Sequence, residues 1–293
     1  MDTLAFKNES SNRSIIVGTR TGGQGKTLVS QVLHHLIRGT GASLRVMAAD
    51  TAGEEGSATK SKLGRFLEGE DTVEELGIGV KINSIRSDAT AALQYWDPLG
   101  RALEGGNVLV DVGANVLPSI WNWAVEIDAG RVFEEAPPIW LVIPVTAQAQ
   151  SLVDAADLIR LAEKNRSYLP IAHYYVVFNE QEGKFATLED TAEYQDLMSL
   201  LEAENTTKVK LERCKTSVWS KIQGNYISLT AMRKLGFREY GSRFGLSSFM
   251  ASAAEKDFTG WLLATQDAFL EAKLIPAHGG KASASQGEVS VFA

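Results

Sequence analysis

The residues best placed to do chemistry are Gly22, Gly23, Gln24, Gly25, Lys26 and Thr27, a glycine-rich run closed by a lysine and a hydroxyl. Backbone N–H groups left free at the start of a helix bind anions, and glycines let that backbone come close to a phosphate. In such a loop Lys26 would reach the β- and γ-phosphates of a nucleotide, and the Thr27 hydroxyl would ligate Mg²⁺. The rival dinucleotide-binding loop needs a third glycine three positions after Gly25, where this chain has Leu28, and it has no use for a lysine followed by threonine. A strict GxxxxGK[ST] loop would carry glycine at position 20, and here Arg20 stands there.

A phosphate loop works only where a buried strand hands over to a helix. The apolar run 14–19 precedes the loop, and 26–38 follows with apolar residues at intervals of three and four, the period of an amphipathic helix. Further strands are expected at 44–49, 107–112, 138–145 and 171–178, and further helices at 88–104, 148–165 and 187–204. Strands alternating with helices imply an α/β fold with a doubly wound, mostly parallel sheet and helices on both faces. Beyond about residue 206 the alternation fades into a basic stretch, and a helix-like run at 250–272 is expected to add a C-terminal helical layer. Residues 1–275 read as a single domain. Residues 276–293, rich in Gly, Ala, Ser and Lys, read as a flexible tail that cannot offset the entropy of ordering.

The loop TGGQGKT resembles the KGGxGK[ST] form of the deviant Walker A ATPases of the ParA/MinD type, and the resemblance extends over roughly residues 14 to 180. It implies ATP and Mg²⁺ as ligands, with Gly22, Gly23, Gln24, Gly25, Lys26 and Thr27 forming the phosphate site. After the second strand the family carries a pair of aspartates, the second of which orients the attacking water. Asp50 matches that second position, so Asp50 and Lys26 are the expected catalytic residues, while Ala48 replaces the first aspartate. The run 107–114 is similar to the family's Walker B strand and switch, which implies that Asp111 holds Mg²⁺ through water and that the Gly113 amide senses the γ-phosphate. Asn179, after a buried strand, matches an asparagine that hydrogen-bonds adenine, and FNEQEG lacks the base-reading motif of a GTPase. Thr21 stands where the family's signature lysine would reach across a nucleotide-sandwich dimer to the partner's phosphates. That departure implies slow hydrolysis, or a dimer closed by another cation such as Arg20. The resemblance implies a homodimer formed on ATP binding, a protein partner that stimulates hydrolysis, and a role in partitioning or positioning DNA or other cargo. A non-hydrolysing regulator or scaffold and a conjugation accessory protein are the alternatives. A metal-cluster delivery ATPase ranks last, because the single Cys214 gives even a dimer only two thiolates.

Residues 208–243 hold nine lysines and arginines against two glutamates, a net +7, which leaves −14 for the rest of a chain that is −7 overall. Such segregation is expected where one face meets a polyanion, so this segment is the candidate for non-specific DNA binding. The tail makes no amphipathic helix, so no membrane partner is expected. With no secretory leader, no long apolar run and a lone cysteine, the expected location is cytoplasmic. His34 and His35 are adjacent on a helix and face apart, and His173 and His278 are isolated, so none is expected to share a metal. Trp121 and Trp123 read as packing groups, with contact to a partner near the switch as the alternative.

Overall fold

The computed structural model describes residues 12–49, 60–76, 89–114 and 116–276. Asp50, His278 and the tail beyond Pro276 lie outside the described residues. The strands are β1 (Ser14–Val17), β2 (Arg45–Ala49), β3 (Val73–Glu75), β4 (Val108–Val112), β5 (Ile139–Val145), β6 (Ile171–Asn179) and β7 (Thr206–Leu211). They form one seven-stranded sheet in the order β3-β2-β4-β1-β5-β6-β7. Every pairing in it is parallel.

The helices are α1 (Lys26–Gly39), α2 (Lys62–Phe66), α3 (Ala89–Gly105), α4 (Leu117–Glu126), α5 (Gly130–Phe133), α6 (Ala149–Lys164), α7 (Ala192–Leu200), α8 (Trp219–Gly224), α9 (Leu229–Lys234), α10 (Phe237–Phe244) and α11 (Ser248–Glu271). Successive side chains of a strand point to opposite faces, and the two faces have separate cores. On one face Ile16, Val110 and Leu141 pack with α3, α4, α5, α6 and α7. On the other, Ile15, Val17, Leu109 and Val142 pack with α1, α2 and the C-terminal helices. Covered on both sides, the strands read as continuous apolar runs, which is why the central ones are visible in the sequence.

The expected α/β architecture is therefore the observed one, and the C-terminal layer is present. Phe258, Trp261, Leu262 and Phe269 of α11 are buried, each contributing on the order of 1.5–3 kcal/mol through burial. The stretch where alternation was expected to fade is corrected: Thr206–Leu211 is the seventh strand, paired with β6. Trp121 and Trp123 are core residues, 2% and 5% exposed. The strand order places the site. The chain crosses from β4 over β1 to β5, so the connections diverge on either side of β1, and a crevice opens at the carboxyl ends of these strands.

Candidate functional site

At that crevice the register aligns Val17 at the end of β1 with Asp111 on one side and Val142 on the other. The loop between β1 and α1 thus begins beside the β4 carboxylate. Gly25 caps α1 in the left-handed region, φ 89 and ψ 19, and no side chain caps the helix, so its first amides remain directed at the crevice. A Cβ at Gly25 would lie 2.2 Å from the Asn179 side-chain nitrogen, so both the backbone angle and the contact with β6 call for glycine.

The Lys26 ammonium donates to the Thr19 hydroxyl (3.0 Å) and to the Thr21 carbonyl (3.2 Å), folding its head over the loop that would hold a phosphate. The Thr27 hydroxyl donates to Asp111 Oδ2 at 3.2 Å, and Ser30, one helical turn on, donates to Oδ1 at 3.0 Å. Asp111 is 8% exposed. Its carboxylate and the Thr27 oxygen form a hard, oxygen-only donor set at the foot of the loop, the chemistry that suits Mg²⁺ rather than a softer metal. Ala48 lies beside Asp111 in the register and presents a methyl group there.

Gly22, Gly23, Gly25, Lys26, Thr27, Asp111, Gly113 and Asn179 all line one cavity of about 430 Å³. Eight expected site residues thus meet in one place. Gln24 does not line it. Its side chain turns away from the crevice, where its Oε1 accepts from Thr146 (2.8 Å) and from Ser151, and its Nε2 donates to Thr21 (3.1 Å). The Gly113 amide donates to the Ala49 carbonyl at 2.7 Å and so continues the sheet ladder. Asn179 lines the cavity while its side chain braces the loop, donating weakly to the Gln24 carbonyl (3.4 Å) and accepting from the Gln181 amide (3.2 Å).

The loop is also tied to α6. Thr21 donates to Asp154 Oδ2 at 2.8 Å, and Arg20 pairs with Asp157 at 2.6 Å. Arg20, offered above as the substitute cation, is thus engaged within its own chain, in a half-exposed pair of the kind worth about 0–1 kcal/mol.

Four functional candidates were missed. Ser30 follows Thr27 by three positions, the spacing of one helical face, and that signal was available. Lys62, Trp219 and Gln223 enter the cavity wall from α2 and α8, far away in the chain, and no local pattern announces them.

In the basic segment, Lys208 lies over the Phe178 ring (4.3 Å) and donates to Tyr194, Lys210 pairs with Glu212 and Glu180, and Lys221 donates to the Phe244 carbonyl. Arg233, Lys234, Arg238 and Arg243 on α9 and α10 are exposed and make no ion pair among the described residues. The described histidines have separate partners, and the buried Nε2 of His35 has none among the described residues. His34 meets Asp71, His35 meets Thr230 and His173 meets Thr207, and no cluster of three or more His, Cys, Asp or Glu side chains able to hold a metal occurs among the described residues. Cys214 is buried, which pushes its thiol up to about 12. No described helix is long and apolar enough to cross a membrane.

A parallel sheet with a glycine loop at its switch point, a lysine and threonine opening the next helix and a carboxylate on the neighbouring strand defines an α/β protein of the P-loop class. No protein-family model matches the sequence, and no curated protein matches it. Among solved structures the chain is similar to the MinD cell division protein of Aquifex aeolicus (TM-score 0.43, 16% identity, 86% of this chain and 97% of that one). It is similar to the septum site-determining protein MinD of Pyrococcus horikoshii, a complex with Mg-ADP (0.46, 14%, 84% and 93%). It is similar also to McdA of Cyanothece in complex with ATP (0.42, 14%, 91% and 98%). Likenesses this loose carry no argument about activity, which rests on the site's own residues.

Proposed function

We propose that this protein is an ATP-binding switch with slow hydrolysis, acting in the positioning or partitioning of DNA or other cargo. The observation that supports it most is the meeting of Gly25 in left-handed geometry, the Lys26 ammonium and the Thr27–Asp111 pair in one cavity at the switch point. The residues fit the group: Thr27 and Asp111 would hold Mg²⁺, which supplies charge neutralisation at the phosphates when bound. The loop amides and Lys26 bind and orient the polyphosphate, and Asn179 is the residue offered to the base. Asp50 remains the proposed positioner of water. In this reading ATP closes a homodimer, the exposed cations of α9 and α10 meet DNA, and a protein partner speeds release.

Nucleotide titration in Mg²⁺ tests the core of it. Wild type is expected to bind ATP, and Lys26→Ala to weaken binding by about 100-fold, ~2.7 kcal/mol. Equal binding by the two proteins would sink the reading.

Ala48 beside Asp111 and the engaged hydroxyl of Thr21 favour a second reading, a regulator that binds ATP without turnover. Phosphate release measured with and without DNA decides between them. Release above the Lys26→Ala background selects the switch, and none under either condition selects the regulator.

A further inference from the structure

A bound triphosphate carries several negative charges, and the loop side of the cavity offers it Lys26 while its neighbours are committed elsewhere. Thr21 is neutral and hydrogen-bonded to Asp154, and Arg20 is turned onto Asp157. The cavity is lined by another cation. Lys62, at the first position of α2, lines the same cavity as Gly22, Lys26 and Asp111. Its neighbour Lys60 pairs with Glu68, whereas Lys62 is exposed and has no acidic partner among the described residues.

The position of Lys62 is set by the fold. Ser61 donates through both its amide (3.0 Å) and its hydroxyl (2.9 Å) to one oxygen of Glu75 at the end of β3, and its hydroxyl accepts from the Gly64 amide (2.9 Å) as the helix cap. A Cβ at Gly64 would come within 2.2 Å of that carboxylate oxygen, so the start of α2 is pressed against β3. Leu63 and Phe66 anchor the other side of the helix, 0% and 2% exposed. A lysine is thus held on the wall of the phosphate site by a helix start that Glu75 fixes through the Ser61 amide and hydroxyl.

We propose that Lys62 is the second cation of the nucleotide site, contacting the terminal phosphates from within the same chain, an inference that rests on the ATP-binding reading above. It supplies inside one protomer the positive charge that Thr21 cannot, and it makes affinity for a nucleoside triphosphate exceed that for a diphosphate without a second copy.

The experiment is titration of ATP and of ADP, each with Mg²⁺, into wild type, Lys62→Gln, Lys62→Arg and Lys26→Ala. Lys62 is exposed, so its variants are expected to fold. Removal of one charge-assisted hydrogen bond to phosphate predicts ATP binding weakened about tenfold in Lys62→Gln, ADP binding changed by less than about twofold, and ATP affinity largely restored in Lys62→Arg. The weakening is expected to be the same at low and high protein concentration. Wild-type ATP affinity in Lys62→Gln overturns the proposal, as does equal weakening for ATP and ADP, or a weakening seen only at high protein concentration, which would place the interaction between copies. Failure of wild type to bind ATP, or unchanged binding by Lys26→Ala, overturns the nucleotide reading itself and is distinguishable from these outcomes.

Discussion

The phosphate loop and the basic segment 208–243 both stand out in the sequence, one by spacing and the other by charge, and the fold treats them differently. In the loop, the glycines, the lysine and the threonine keep together in space what they have together in sequence, because the chemistry of a helix start needs adjacent residues. In the segment, the nine cations are dispersed. Lys208 and Lys210 lie on the edge strand and are taken up by Tyr194 and by Glu212 and Glu180, and Lys221 caps a carbonyl at the end of α10. A motif whose chemistry needs adjacent residues survives folding intact, whereas a charge run is scattered by packing.

The sharpest way to break the comparison is Gly25→Ala. The backbone at φ 89 disfavours any side chain, and the added methyl would meet Asn179 at 2.2 Å. Strain at one such residue is on the order of 1–3 kcal/mol, and the loop relieves it by moving its amides off the phosphate position. We expect ATP affinity to fall by about a thousandfold, ~4 kcal/mol, with the melting transition retained. Wild-type affinity in this variant would show that the loop geometry is not what binds.

The helix that the loop opens also meets the basic segment at His35 of α1, which hydrogen-bonds Thr230 at 2.8 Å and is 6% exposed. Burial, then the nearby Arg233 guanidinium, then His34, lower its pKa to about 4. The sign follows from linkage. Above about pH 6.5 the imidazole is neutral in both folded and unfolded chains and stability is full; as pH falls from there toward 4 the unfolded chain takes up a proton that the folded one refuses. The destabilisation approaches about 3 kcal/mol by pH 4. Urea unfolding of wild type and His35→Asn between those limits checks it. The variant is expected to lose less stability on acidification, and parallel curves would remove His35 from the account.

How far the sequence carries depends on the range of the forces involved. The central strands β1, β4, β5 and β6 are legible because burial on both faces makes them continuously apolar. The edge strand β7 alternates, with Val209 and Leu211 buried and Lys208 and Lys210 outward, and its lysines draw attention to charge instead of to that period. β3 has three residues, too few for any period to register. Of the site, the loop, Asp111 and Asn179 can be placed because each ends or follows a recognisable strand. Lys62, Trp219 and Gln223 cannot, since only the sheet order brings α2 and α8 to the mouth of the crevice. Gln24 and Gly113 sit at the expected points of the chain but are claimed by partners the local pattern does not show, Ser151 and Ala49, both distant in sequence.

The smallest effects belong to single charges, and they decide whether the basic segment acts as a unit. If the proposed DNA surface is built from the exposed cations of α9 and α10, neutralising Arg233, Lys234, Arg238 or Arg243 one at a time should weaken binding about threefold each and lower the salt slope by about 0.9 for each phosphate no longer neutralised. Lys210→Gln should change neither, because its ammonium already serves Glu212 (2.8 Å) and Glu180 (3.6 Å). The comparison is read from affinities at several salt concentrations, with each variant's unfolding midpoint as the control for structural damage. A uniform response across all five variants would return the segment to an undivided basic field. Weakening confined to Lys210→Gln would move the DNA surface to the sheet edge beside β7, where a polyanion would have to displace two carboxylates to reach it.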